Sequence, residues 1–342
     1  MSLTCSIVGG TGFTGGELLR LLVGHPEATI AQVTSRSLAG KPIHRVHPNL
    51  RGHTTLTFSD PQHLQPCDVL FLCTPHGTAA GDIDRYRSLG TTVIDLSADF
   101  RLRDPAVYER WYGEAHPSPA ALADAVYGLP EIHRRDLAGA SLISGVGCNA
   151  TAMNLALMPL ARAGLIERVL CDIKVGSSES GAEASAGSHH PVRSRATRTY
   201  SPSGHRHTAE VLQALGDLDL DVTVTAIEIV RGVLCTAHVT PTEPVDIKQL
   251  RSLYREQYAR EPFVRIVADA GGMHRLPDPK IVAGTNHADV GFAIDERSGR
   301  VIVLSAIDNL VKGAAGSAIQ SMNVARGFEE TAGLTFPGIY PS

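Results

Sequence analysis

The first half of the chain alternates short apolar runs with stretches of helical spacing. TCSIV (4–8), TIAQVTS (29–35), DVLFLCT (68–74), TVIDLS (92–97) and SLISG (141–145) are nearly continuous apolar segments, the length of buried strands. Between the first two, GELLRLLVGH (16–25) repeats its apolar residues at helical intervals. Buried strands separated by helices predict a parallel sheet covered on both faces, an α/β domain.

The pattern changes after about residue 150. ATAMNLALMPLARAGL (150–165) predicts one helix. VLCDIKVGS (169–177), VTVTAIEIV (222–230), VLCTAHVTP (233–241), ADVGFAID (288–295) and VIVLSAID (301–308) predict an antiparallel sheet, hence an α+β second domain. Residues 178–208 read as one long polar, basic loop, and a loop of that length inside a domain is commonly functional. NLVKGAAGSAIQSMNVA (309–325) predicts a last helix rich in small residues, able to pack closely on either domain.

Composition narrows the class. The 342 residues, 43% hydrophobic and 19% charged, suit about two soluble globular domains. A net charge of -4 gives no global attraction to nucleic acid or anionic membrane. No apolar run reaches the ~18 residues of a membrane span. The start, MSLTCSIVGG, reads as a first strand and not as a signal peptide, so the expected location is the cytoplasm. Cys5, Cys67, Cys73, Cys171 and Cys235 lie in or beside apolar runs and are expected to be buried thiols. None of the cysteines forms a C-x-x-C pair, and no metal site is expected.

The turn after the first strand places Gly9, Gly12 and Gly15 at G-x-x-G-x-x-G spacing, with Thr11, Phe13 and Thr14 between them. A strand, a glycine turn and a helix N-terminus together make a pyrophosphate cradle. The second strand ends in Thr34-Ser35-Arg36, without the acidic residue that holds the ribose of NAD. Ser35 and Arg36 suit a 2′-phosphate and favour NADPH; the rival reading leaves Arg36 a solvated surface charge.

Chemistry concentrates around Cys148. It follows Gly145-Val146-Gly147 and precedes Asn149 at the start of a helix, where the amides favour a thiolate. A small buried residue against the helix is the alternative. Further along, Gly204-His205-Arg206-His207-Thr208-Ala209-Glu210 opens another helix. A histidine there can relay a proton, and Glu210 can orient it or a substrate amine. Cysteine, histidine and a dinucleotide turn in one chain point to hydride transfer through a thioester. Arg101, in SADFRL after the strand TVIDL, is placed to hold phosphate or carboxylate, or to pair with Asp99 or Asp104. Arg193, Arg195 and Arg198 sit in SHHPVRSRATRTY (188–200) with no acid among them, either a solvated run or a docking surface for an acidic partner.

These residues fall within motifs that resemble the N-acetyl-γ-glutamyl-phosphate reductase family, of the aspartate-semialdehyde dehydrogenase superfamily. The motifs are SIVGGTGFTGGELLRLL, CTPHGTA, IDLSADFRL, YGLPE, GCNATA, GHRHTAEV and AIDNLVKGAAGSAIQSMN, nearly end to end. Arginine-pathway members read Gly-Cys-Tyr-Pro-Thr at the nucleophile and carry Ser-Gly-Ala-Gly-Arg in the second domain. Here Cys148 is followed by Asn149-Ala150-Thr151, and Gly181-Ala182-Glu183-Ala184-Ser185 stands in the second place. With SRSLAGKPIHRVHPNLRG (35–52), these variants resemble the branch whose substrate amine is blocked by LysW, a small acidic amino-group carrier protein.

The resemblance implies NADPH-dependent reduction of an acyl phosphate to a semialdehyde. The substrate would be LysW-aminoadipyl 6-phosphate, and in some organisms LysW-glutamyl phosphate, in lysine and arginine biosynthesis. It implies Cys148 as nucleophile, His207 as acid/base with His205 second, and Asn149, Glu210 and Arg101 toward substrate. Pro75 in CTPHGTA, Asn309 and Gly313 fall toward the cofactor. The implied fold is an α/β Rossmann NADP-binding domain, 1–147 plus 312–342, with an α+β domain, 148–311, for catalysis and oligomerisation, in a homodimer or homotetramer. Two rivals keep other chemistry: a reductase of the free N-acetyl substrate, and a non-catalytic NADP-binding regulator.

Overall fold

The computed structural model describes residues 2–341 and divides into two compact units. The first comprises the chain up to Val146 and Ala314–Thr335. The second comprises Gly147–Gly313 and the chain from Phe336 onward.

In the first unit, β1 (Leu3–Val8), β2 (Ala28–Val33), β3 (Cys67–Leu72), β4 (Gly90–Asp95), β5 (Val126–Tyr127) and β6 (Leu142–Ser144) form one sheet, ordered β2-β1-β3-β4-β6-β5. Every pair is parallel. Val69, Leu70, Phe71, Val93 and Ile94 are fully buried, which explains the unbroken apolar runs. Helix α1 (Phe13–Leu22) starts three residues before its apolar periodicity suggested, because the glycine turn itself ends at Gly12. Helices α2 (Ile83–Leu89), α3 (Pro105–Tyr112) and α4 (Pro130–Leu137) follow within the same unit.

In the second unit, β7 (Arg168–Val175), β8 (Arg198–Ser201), β9 (Leu220–Ala226), β10 (Val233–Thr240), β11 (Val264–Ile266), β12 (Ala288–Ile294) and β13 (Val301–Ile307) form a sheet ordered β11-β12-β13-β10-β7-β9-β8. It is mixed and not wholly antiparallel: β7–β9 and β11–β12 pair in parallel. Helix α5 (Cys148–Arg162) packs on β10, β12 and β13 and buries Asn149 through Leu160 without interruption. Helices α6 (His207–Leu215) and α7 (Ile247–Tyr258) lie against α5, and the Tyr254 and Tyr258 hydroxyls donate to the Ala156 and Leu155 carbonyls.

Three expectations shift. The strand foreseen at 222–230 stops at Ala226: the Ile227 amide makes the last bond to β7, at the Val175 carbonyl, and Ile229 then closes a tight turn on Ile227. The supposed loop 178–208 contains β8 at the sheet edge and a short helix at His190–Arg193. The last helix, α8 (Gly316–Arg326), begins after a π-type turn over Val311–Ala315, in which the Gly313 amide reaches the Asp308 carbonyl. It packs on α1 and α4.

The C-terminal tail corrects the expected boundary of 312–342. From Phe336 it joins the second unit, with Phe336 over Gly284 and the Tyr340 hydroxyl 3.2 Å from His274 Nε2.

Candidate active site

The nucleotide cradle lies in the first unit. Gly9 has φ +79°, and a Cβ there would sit 2.5 Å from the Cys73 carbonyl oxygen. Gly15 lies against the Gly10 backbone, where a Cβ would come within 2.8 Å. Gly12, which caps α1 with no side-chain hydrogen bond, has nothing within 4 Å of its Cβ position. Two glycines are thus required by packing, while the third opens onto space beside free helix amides. Such a cradle fits the pyrophosphate of a dinucleotide. Thr11 and Thr14 are half-buried and Phe13 is exposed beside it.

Beyond β2, Thr34 and Ser35 are buried, and Ser35 Oγ accepts from the Leu38 amide. Arg36 is exposed. Pro75 is exposed after β3, with its carbonyl accepting from Thr78. Arg101 is buried, and its Nε donates to the Ser97 carbonyl at 3.1 Å. Around it Asp95 accepts from Ser97 Oγ at 2.7 Å, and Asp99 accepts from His76 Nδ1 at 2.7 Å and from the Gly77 and Ala80 amides.

The thiol site lies wholly in the second unit. Cys148 is the first residue of α5, half-buried, and follows the N-cap Gly147, which has no side chain of its own to cap the helix. Its Sγ donates to Glu179 Oε1 at 2.8 Å, with Asn149 Oδ1 at 3.8 Å. Asn149 itself is fully buried. The Gly147 amide donates to Glu210 Oε2 at 2.9 Å, and Glu210 Oε1 lies 3.8 Å from His207 Nε2. A Cβ on Gly147 would fall 2.6 Å from Glu210 and 2.7 Å from His207 Nε2, so this histidine and glutamate abut the residue before the thiol. Both are buried. Burial, helped by the charge of Arg206, holds His205 down to about 4, so it stays neutral near pH 7. Its ring stands edge-on to His207 at 4.7 Å.

Glu179 was not foreseen from the sequence. It sits on the turn Ser177–Ser180 after β7, fixed by the Ser177 and Ser178 amides donating to Ile229 and Val230. Burial raises its carboxyl to about 7, against the lowering effect of hydrogen bonds from Cys148 and Tyr200 and the charge of Arg206.

Several expected roles change. Arg193 is buried and donates to the Ile227 carbonyl at 2.6 Å and to that of Val175, so it ties the ends of β7 and β9 and is no docking charge. Arg195 and Arg198 are exposed, Arg195 with φ +56°. Asn309 is buried, its Nδ2 donating to Ser178 Oγ and its Oδ1 accepting from Gly232, so it braces the Glu179 turn. Gly313 is glycine because a Cβ would lie 2.6 Å from that of Cys148. Cys5, Cys171 and Cys235 are buried as expected, but Cys67 and Cys73 are half-exposed. Burial pushes the Cys5 thiol up to about 12 and raises Cys67 and Cys73, which keeps them protonated.

A glycine-cradled dinucleotide domain joined to a domain with a helix-N-terminal thiol defines the class, and comparison agrees. The NAD-binding domain of semialdehyde dehydrogenases is matched by residues 4–140, and their dimerisation domain by residues 148–309. The chain belongs to this semialdehyde dehydrogenase family. A Thermomicrobium roseum protein is 54% identical over all of both chains. LysW-L-2-aminoadipate 6-phosphate reductase of Deinococcus radiodurans is 50% identical, with 99% of this chain and 98% of that protein aligned. LysW-L-2-aminoadipate/LysW-L-glutamate phosphate reductase of Saccharolobus solfataricus is 44% identical over 98% of each. Among solved structures, aspartate semialdehyde dehydrogenase II of Vibrio cholerae shares the fold, with a TM-score of 0.71 at 17% identity, over 95% of this chain and 98% of that one. The chain is therefore an oxidoreductase that uses a nicotinamide cofactor. Among the described residues no helix is long and apolar enough to cross a membrane.

Proposed function

We propose that this enzyme reduces a LysW-linked acyl phosphate, L-2-aminoadipate 6-phosphate and in some settings L-glutamate 5-phosphate, to the semialdehyde with NADPH. The observation that carries the reading is Cys148 at the N-terminus of α5, next to the Gly147 amide that holds Glu210 beside His207. The full-length likeness to reductases of that name supports the substrate. The work belongs to lysine and arginine biosynthesis in the cytoplasm. The match of the second unit to a dimerisation domain supports a homodimer or homotetramer.

The Cys148 thiolate attacks the acyl carbon, and first-turn amides of α5 stabilise the oxyanion. Phosphate leaves with the C–O bond pair, and a thioester remains on Sγ. The Gly9–Gly15 cradle would hold NADPH by its pyrophosphate, with Arg36 and Ser35 toward the 2′-phosphate, and the bound cofactor would supply the hydride. His207 protonates the oxygen of the resulting hemithioacetal and takes that proton back as the C–S bond breaks. Glu210 holds the imidazole in place, and His205, neutral, packs behind it. Arg195 and Arg198, exposed beside the site's own unit edge, attract the acidic carrier and act mainly on encounter rate.

The test is phosphate-dependent oxidation by NADP+ of the LysW-linked semialdehyde against the free N-acetyl one. The carrier-linked substrate is expected to turn over far faster, and Arg195→Glu with Arg198→Glu to lower its kcat/KM about tenfold or more at low salt. Equal turnover of the free substrate would overturn the carrier reading.

A further inference from the structure

We propose that Glu179 is a further catalytic residue, the base that takes the Cys148 thiol proton when the thiolate forms and returns it when the product leaves. The inference rests on the thioester reading above but not on the identity of the acyl group.

The geometry selects Glu179. Its Oε1 is 2.8 Å from Sγ, within reach for direct transfer. His207, by contrast, faces Gly147 and is occupied with Glu210. The turn carrying Glu179 is braced from behind: Asn309 holds Ser178, and the Ile229 and Val230 carbonyls hold the backbone. A Cβ on Gly176 would strike the Val230 carbonyl at 2.7 Å, so glycine lets the turn seat there. The charged and titratable groups facing the carboxyl are Cys148 from α5, Tyr200 from β8, whose hydroxyl lies 3.5 Å from Oε2, and Arg206 ahead of α6. Asn149 faces it as a neutral donor.

The proton balance closes. In the resting pair, a thiol faces a carboxylate. Transfer of the proton from Sγ to Oε1 gives a thiolate facing a neutral carboxylic acid, with one negative charge shared throughout. The thiolate then attacks without a repelling carboxylate beside it. When the hemithioacetal collapses, the C–S bond pair returns to sulfur, and Glu179 gives the proton back. The departing phosphate takes its own proton from solvent. Burial suits this exchange, since a carboxyl raised to about 7 shares a proton with a thiol more evenly than an ordinary one.

The pair must titrate together. Below about 7 the carboxyl is protonated and the thiol has no acceptor. Above it one negative charge enters the pair, and a second enters only at much higher pH. The experiment is alkylation of Cys148 by iodoacetamide from pH 5 to 10, read by peptide mass spectrometry, together with the phosphate burst on mixing enzyme with acyl phosphate.

The wild-type enzyme is expected to show two inflections, the lower near neutrality. Glu179→Gln, close to isosteric, is expected to keep only one and to slow the burst by about 10- to 100-fold. Glu179→Asp should recover part of both. Tyr200→Phe removes a hydrogen bond to the carboxylate and should move the lower inflection upward. A Glu179→Gln profile identical to the wild type, or an undiminished burst, overturns the proposal. Alkylation needs no substrate, so a wrong acyl group or carrier leaves this test intact. Full activity in Cys148→Ser would instead refute the thioester reading itself.

Discussion

The Gly147 amide donates to Glu210 Oε2 at 2.9 Å, and this bond ties the backbone before the nucleophile to the helix that carries His207. Gly147 has φ −79°, so alanine would not strain the backbone. Its Cβ, however, would fall within 2.6–2.8 Å of Glu210 and His207. Gly147→Ala should lower kcat at least tenfold and destabilise the fold by about 1–3 kcal/mol through overpacking. Steady-state kinetics and denaturant titration check both numbers; wild-type values in each would show that the two buried side chains yield freely.

The glycine turn separates packing from binding. Gly9→Ala puts a Cβ 2.5 Å from the Cys73 carbonyl at φ +79°, so it should lose stability. Gly12→Ala meets nothing within 4 Å and should melt like the wild type. It should nonetheless weaken NADPH binding by roughly tenfold or more, because the added methyl stands where the pyrophosphate meets the helix amides. Unchanged NADPH affinity in Gly12→Ala would remove the cradle from the first turn of α1.

The proposed preference for NADPH rests on Arg36. It is exposed after β2, beside buried Ser35, with no carboxylate in the run Thr34-Ser35-Arg36-Ser37. Arg36→Ala should weaken NADPH by about 10- to 100-fold and leave NADH nearly unchanged, since only one of them carries the 2′-phosphate. Titrating both cofactors by fluorescence gives the ratio. An equal loss for both would mean Arg36 does not read the phosphate.

Asp95 sets a pH dependence in the first unit. Burial first, then the charge of Asp99, raise its carboxyl to about 7 despite the Ser97 hydrogen bonds. The folded state thus keeps this proton over a window where the unfolded chain, with its ordinary value near 3.8, has lost it. The native state binds more protons there, so stability falls as pH rises through the window, by at most ~1.4 kcal/mol per pH unit. Asp95→Asn should flatten that slope. Denaturation between pH 4.5 and 6.5 measures it, and an unchanged slope would assign it to other groups.

Much of this was legible in the chain. The continuous apolar runs around Val69–Leu72 and Val93–Asp95 could only be strands buried on both faces. Cys148 and His207 were legible because each opens a helix, and Glu210 because it follows His207 within the first turn. What stayed hidden depends on direction within irregular segments. Arg193 reads like Arg195 and Arg198 in a basic run, yet its guanidinium turns inward to two strand-end carbonyls. Glu179 lies in a Gly/Ser turn without periodicity, so nothing local aims it at Sγ. The mixed sheet was hidden too, since alternation along β7 and β9 is the same whether they pair parallel or antiparallel.

The central claim is that the acyl group passes through the sulfur of Cys148, and the most direct measurement is made without NADPH. Enzyme is mixed with the acyl phosphate, released phosphate is counted, and the Cys148 peptide is weighed. The account predicts about one phosphate per active site in a burst, an acyl mass on Cys148, and neither in Cys148→Ser. A burst that persists in Cys148→Ser, or phosphate release that waits for NADPH in the wild type, would contradict it.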